Sequence, residues 1–365
     1  MTISDFFSRY SSDCSAGSAN QLLARFPAVV TREGRVSYRL SHGGENFALL
    51  FSNRVDSTFA DGEISRAGDP GGEFEILSLR VGLAKKAGEE PDAWRDVTFG
   101  GVRTRTVKAG EGLFCTDPIP LGAAAGDHLR YDIVVRGECF PYHEEITLKV
   151  VSREVGRSFA PDKRIPVPLM IGSDRPVSLR IGFLGDSITQ GCGTDEDSYD
   201  HWAAKIEEGL PDNISVWDLG IGYARAYDAA SDGLWLERAK TCDAVSVCFG
   251  VNDLFHDRTA EEIEGDLRCI MAALRAAGCR VILFTVPPFD FEGTLLERWR
   301  QVNAAIRGSL GREADAVFDF AAVLGHSEPE QHLAVYGGHP NAEGCAVLAK
   351  EFLGQLPKLL NGMLR

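Results

Sequence analysis

A chain of 365 residues exceeds one ordinary domain and suggests two. Its 44% apolar and 25% charged fractions exclude a disordered or fibrous class. Its 53 acidic against 38 basic residues, net −15, exclude a nucleic-acid backbone or an anionic membrane as the main partner and leave small neutral substrates open.

The first ten residues, MTISDFFSRY, lack the basic start and the apolar stretch of about 7–15 residues that a signal peptide requires. No apolar run approaches the roughly 20 residues that span a bilayer. The nine cysteines are odd in number and scattered, with no Cys-x-x-Cys pair. Free thiols and a cytoplasmic location are therefore expected.

Up to residue 155 the chain shows short alternating or aromatic-rich runs separated by turn residues, which predicts an antiparallel all-β domain, a sandwich or jelly roll. Strands are expected at Arg35–Leu40, Asn46–Ser52, Glu73–Leu83, Trp94–Phe99, Arg103–Val107, His128–Arg136 and Ile146–Val151, with turns such as Gly43-Gly44, Asp69-Pro70-Gly71-Gly72 and Ala125-Gly126-Asp127. Trp94, Phe99, Phe114, Phe140 and Tyr142 are read as core aromatics before a sugar-binding face. Residues 156–177, with Pro161, Pro166, Pro168 and Pro176 and no sustained period, read as a linker.

From residue 178 to 365 the pattern alternates between apolar strand and amphipathic helix. Val177–Leu184, Ile214–Leu219, Ala244–Phe249, Arg280–Val286 and Ala316–Phe320 are continuous apolar runs, as strands covered on both faces should be. His201–Leu210, Ala226–Ala239, Ala260–Ala277, Leu295–Leu310 and Ala342–Leu359 carry apolar residues at helical spacing. A parallel sheet with right-handed crossovers follows, and ligands of such sheets sit outside the carboxyl ends of the strands.

Four elements with chemical potential fall at those ends. Ser187, in Gly185-Asp186-Ser187-Ile188, follows the first of these strands, where its hydroxyl would stand at a crevice; a bare Gly-Asp-Ser is also an ordinary turn. Asp218-Leu219-Gly220-Ile221-Gly222-Tyr223 follows the second, with glycines that let backbone N–H groups point inward. Asn252, in Gly250-Val251-Asn252-Asp253, follows the third; its amide can serve an oxyanion or cap a helix. His339, in Tyr336-Gly337-Gly338-His339-Pro340-Asn341, precedes the last helix and can deliver an imidazole, with His256 as a fallback base or substrate contact. A serine hydroxyl is a weak nucleophile until a base takes its proton, so Ser187 needs a histidine.

In the order Ser, Gly, Asn, His these blocks resemble those of the SGNH hydrolases, also called GDSL-type esterases and lipases, over roughly residues 178–360. The resemblance implies a flavodoxin-like three-layer α/β domain that hydrolyses esters through an acyl-enzyme. By position Ser187 is similar to the nucleophile, His339 to the base and Asn252 to the side-chain oxyanion donor, while Asp186 and Asp253 would brace their loops. The remaining oxyanion donors would be the Ser187 N–H and that of Gly222 or Tyr223. The region 103–136 is similar to the β-sandwich that precedes this domain in some bacterial members.

Two departures bear on mechanism. Tyr223 stands where the family's oxyanion glycine usually stands, so it must adopt a permissible φ. Tyr336 replaces the aspartate that normally orients the imidazole, which implies a Ser-His dyad, with Asp319 as a second orienting candidate. The expectation is a cofactor-independent esterase for short acyl groups, acetylated sugars among its substrates, with no nucleic-acid or membrane partner and the oligomeric state left open. Tyr223, Phe255, Phe289, Phe291 and Trp299 lie on loops near the site and would either narrow its pocket or belong to the core. The alternatives are a catalytically weak or inactive carbohydrate-binding relative, and a metal-dependent hydrolase, which would need a histidine-carboxylate cluster that the spacing does not provide.

Overall fold

The structure, a computed structural model, describes residues 1–16, 22–56, 68–143, 147–231, 233–325, 333 and 338–363. Among these residues the chain divides into two compact units that meet in sequence at Val177 and Ser178.

The first unit is mostly β, with one short helix, Ile3–Phe7, and two main antiparallel sheets. The larger centres on Leu22–Arg39, His128–Tyr142 and Phe74–Ala84. The smaller centres on Gly43–Ser52, flanked by Ile119–Ala124 and Met170–Ser173. Arg105 of the larger sheet lies over the Phe114 ring of the smaller, 4.6 Å from its centroid. Phe99, Phe114 and Phe140 are buried, as core aromatics should be.

Residues 156–177 do not form a linker. Met170–Ser173 pairs with both Gly43–Ser52 and Ser11–Ser12, and Ala160–Pro161 pairs with Val151–Glu154. The prolines mislead because they occupy edges and approaches to these short pairings, where a missing N–H costs no ladder bond. Of the expected strand Trp94–Phe99, only Arg95–Asp96 pairs as a strand, with a lone bridge from Phe99 to Val102. Asp69–Pro70, read as a turn, pairs with Arg54–Val55.

In the second unit the strands β1 (Leu179–Gly185), β2 (Ile214–Gly220), β3 (Ala244–Cys248), β4 (Arg280–Phe284) and β5 (Ala316–Phe318) are parallel, in the order β2-β1-β3-β4-β5. This is the flavodoxin-like order, whose topological switch point lies between β1 and β3. Every residue of β2 and β3 is buried, which explains their unbroken apolar runs.

The helices of this unit include α1 (Ser187–Gln190), α2 (Trp202–Gly209), α3 (Ala226–Ala229), α4 (Leu234–Ala239), α5 (Val251–Phe255), α6 (Ala260–Ala276), α7 (Gly293–Ala305), α8 (Phe320–Gly325) and α9 (Ala342–Leu359). In α6 a capping box between Thr259 and Glu262 starts the helix, and Ile263, Leu267, Ile270, Met271 and Leu274 form its buried stripe. The single helix expected over 226–239 is two, α3 and α4, with Gly233 as the N-cap of the second. The helix expected over 295–310 starts earlier, at Gly293, and passes at Ile306 into a π-helical turn.

Three buried tryptophans hold strand ends and loops in place. The indole N–H of Trp202 donates to Ile188 O at 2.9 Å, that of Trp235 to Leu219 O at 2.6 Å and that of Trp299 to Val286 O at 2.9 Å. Asn303 both donates to Val286 O and accepts from Val286 N–H, at 2.9 and 2.7 Å. A buried carbonyl without a partner costs about 1–3 kcal/mol, so these side chains keep the loops after the strands dry and fixed. Phe291 and Trp299, for which pocket and core were both open, are core residues at 1% exposure each.

Candidate active site

Ser187 is the first residue of α1, directly after β1. The N-cap Asp186 accepts from the Ile188 N–H at 2.9 Å, and Gly191 closes the helix in the left-handed region. Four residues are too few for a helix to persist alone, so α1 depends on its packing. That packing is close at Gly220, where a Cβ would stand 2.2 Å from the Gln190 backbone nitrogen. Only a glycine allows the two backbones to meet.

His339 reaches the same point from the other end of the chain. Its Nε2 lies 2.9 Å from Ser187 Oγ, within hydrogen-bond reach. Asn341 caps α9 by accepting from Gly344 N–H at 2.9 Å, which fixes the loop that carries the histidine. The imidazole is buried, and the Phe289 ring meets it edge-on with centroids 4.9 Å apart. On another side stands Gly193 (φ +104°), where a Cβ would be 2.8 Å from Pro340 O and 3.2 Å from His339 Cβ. Gly193 and Phe289 thus help to set where the imidazole sits. Gly193 carries no chemical signal in the sequence; its role is visible only as this close approach.

Asn252 lies in the first turn of α5, after β3 and so across the switch point from Ser187. Its Nδ2 donates to Ala224 O at 3.0 Å and approaches Asp186 Oδ2 at 3.4 Å. The second contact is at the long end of the hydrogen-bond range, so that hydrogen is weakly committed. These contacts tie the loops after β1, β2 and β3 together.

Gly222 is buried, whereas Tyr223 takes φ +62° and leaves its ring 50% exposed. The left-handed region costs a residue with a side chain about 1–2 kcal/mol, so the Tyr223 backbone is held there by its surroundings.

Two buried aspartates, Asp253 and Asp218, accept backbone N–H groups at and after the end of β2. Asp253 Oδ2 accepts from the Ala226 N–H at 2.9 Å and its Oδ1 lies 3.4 Å from Arg258 Nε. Burial pushes Asp253 up to about 6 against the pull of that N–H and of Arg258. Asp218 accepts from Gly220 N–H at 2.8 Å, and burial, with Glu207 nearby, raises it well above the usual carboxylate range.

Asp319 does not serve His339. Its oxygens accept from Arg307 Nε and a terminal guanidinium nitrogen, both at 2.7 Å, and from Thr285 and Ala322. Burial would raise its pKa, but these partners hold it below the usual range. Tyr336 lies outside the described residues. His256, the C-cap of α5, is exposed, and the histidine within hydrogen-bond reach of Ser187 is His339.

Two buried thiols of these elements, Cys345 and Cys248, are kept protonated: burial pushes Cys345 up to about 12 and Cys248 well above its ordinary value. Among the described residues no group of three or more His, Cys, Asp and Glu side chains is placed to hold a metal ion. No helix among them is long and apolar enough to cross a membrane.

Fold and site thus define a flavodoxin-like α/β domain with a serine and a histidine paired at its switch point. Residues 183–347 match the GDSL-like lipase/acylhydrolase family. No curated protein matches the chain. Similar solved structures include a member of the lipolytic protein G-D-S-L family from Veillonella parvula, 21% identical over 48% of this chain and 96% of that one, TM-score 0.42. A carbohydrate esterase family 3 structure from Talaromyces cellulolyticus is 21% identical over 50% and 98%, TM-score 0.40. Protein YXIM of Bacillus subtilis is 15% identical over 90% and 82%, TM-score 0.44.

Replacing Gly193 by alanine should displace the His339 loop and lower Ser187-dependent turnover on the order of 10²-fold, as an ångström of misplacement does. Unchanged kcat would remove Gly193 from this role. Asp253 generates a pH effect on stability. With its folded pKa about 6 and an ordinary value of 3.8, the folded state holds a proton that the unfolded chain has lost between those values. Stability therefore falls as pH rises through that window. Asp253→Asn should flatten this fall in urea unfolding measured from about pH 4 to 6; parallel curves for the two proteins would contradict it.

Proposed function

We propose that the chain is a serine acylhydrolase that cleaves short-chain acyl esters through an acyl-enzyme on Ser187. The 2.9 Å contact between Ser187 Oγ and His339 Nε2 carries the reading. With its proton on Nδ1, the imidazole takes the serine proton as Oγ bonds to the ester carbonyl carbon. The carbonyl oxygen becomes an oxyanion, which Asn252 Nδ2–H and the backbone N–H groups of Ser187 and of Gly222 or Tyr223 would receive.

The proton on His339 then passes to the leaving alkoxide as its bond to carbon breaks. Water repeats the sequence on the acyl-enzyme: His339 takes its proton, hydroxide adds to the carbonyl, and Ser187 leaves with the proton returned. Asp186 contributes by placement, since it starts α1 at Ser187 and also meets Asn252. The aromatic walls at Phe289 and Phe255 favour a short acyl group over a long chain.

Ser187→Ala should lower kcat on p-nitrophenyl acetate by at least about 10⁴-fold, in line with the loss of a nucleophile elsewhere in serine hydrolases. Retained turnover would end the proposal.

A further inference from the structure

The loop after β2 and the start of α5 share a clamp that the chemistry at Ser187 and His339 does not use. Arg258 follows α5 closely, and its N–H donates to Asp253 O at 3.2 Å. Asp257 before it takes φ +57°, a left-handed conformation that a residue with a side chain keeps only where its surroundings hold it. The guanidinium then meets three groups. Its Nε lies 3.4 Å from Asp253 Oδ1, a terminal nitrogen pairs with Asp266, and its carbon stands 4.8 Å from the centroid of the Tyr227 ring. The Asp253 side chain is fully buried and that of Arg258 is 17% exposed, so water and salt screen this pairing little.

Both arms of the clamp lead to Asn252. Asp253 is its neighbour in α5, and Asp253 Oδ2 accepts from the Ala226 N–H at 2.9 Å. Two residues before Ala226, the Ala224 carbonyl accepts from Asn252 Nδ2 at 3.0 Å. One residue after it, the Tyr227 ring carries Arg258 and, at 5.4 Å, Arg225. The segment 224–227 is thus fixed at a carbonyl, at an N–H and at a ring, and Arg258 stands behind two of the three. A lysine supplies charge there, but not a flat group that serves two carboxylates and an aromatic ring at once.

We infer that Arg258 is a positioning residue of the reaction, acting through Asp253 and Tyr227 on the segment 224–227 and so setting where the Asn252 amide meets the oxyanion. The inference rests on the Ser187 acyl-enzyme reading above. A donor to the oxyanion acts on the transition state and little on the bound ester, so its misplacement lowers kcat and spares KM.

Arg258→Gln and Arg258→Lys are each measured on p-nitrophenyl acetate in the parent protein and in Asn252→Ala, beside Ser187→Ala. In the parent, Arg258→Gln lowers kcat about thirtyfold with KM within about twofold, and Arg258→Lys lowers it about fivefold. In Asn252→Ala, where the positioned amide is already gone, Arg258→Gln lowers kcat by less than about threefold. An arginine that only supports the fold would cost the same factor in both backgrounds. An unchanged kcat in Arg258→Gln, a loss expressed in KM, or equal factors in the two backgrounds overturns the inference. If Arg258→Gln does not fold, Arg258→Lys, which keeps a charge beside Asp253, decides by the same comparison: a smaller factor in Asn252→Ala than in the parent supports the inference and equal factors overturn it. Turnover surviving in Ser187→Ala defeats the acyl-enzyme reading itself; its loss, together with equal factors in the two backgrounds, defeats the positioning role alone.

Discussion

The close seating of α1 on the end of β2 is the constraint on which the rest depends. A helix of four residues cannot hold a serine in place by its own hydrogen bonds. It is held because Gly220 lets its backbone approach, because Asp186 caps it and because the Trp202 indole binds the Ile188 carbonyl. These contacts are short-range and directional, so they fix the Ser187 hydroxyl where the strand order opens a crevice.

Around that point the loops after the parallel strands share partners. Asn252 binds the loop after β2 through Ala224 and the start of α1 through Asp186. Asp253 binds the start of α3. Misplacing one loop therefore disturbs its neighbours, and several groups that never touch a substrate still govern the geometry at Ser187. The buried carboxyls show the cost: Asp253 and Asp218 sit where burial disfavours their charge, and they are kept for the backbone N–H groups they receive.

The parallel sheet was legible because strands covered on both faces must be apolar throughout, and Ala244–Cys248 is an unbroken run of that kind. The Ser187–His339 pair was legible as blocks at three strand ends and one helix start, which a parallel sheet with crossovers gathers on one side. What the sequence hid was of three sorts. Helices too short for a period, such as α1, looked like turns. Short strands rich in proline and glycine, such as Met170–Ser173 and its approach, looked like a linker, because their partners are more than a hundred residues away. Side-chain pairing was invisible at long range: Asp319 looked available to a histidine, but Arg307, one helical segment earlier, already holds it. Gly193, which flanks His339, offered no chemical type to notice.

The central claim is that Ser187 is made nucleophilic by His339. It is tested most directly by exposing the protein to a fluorophosphonate and locating the adduct by peptide mass spectrometry. The account predicts one phosphonylated residue, Ser187, and labelling slowed at least about a hundredfold in His339→Ala, which removes the general base. An unlabelled Ser187 in the folded parent protein, or equal labelling rates in the two proteins, would contradict it.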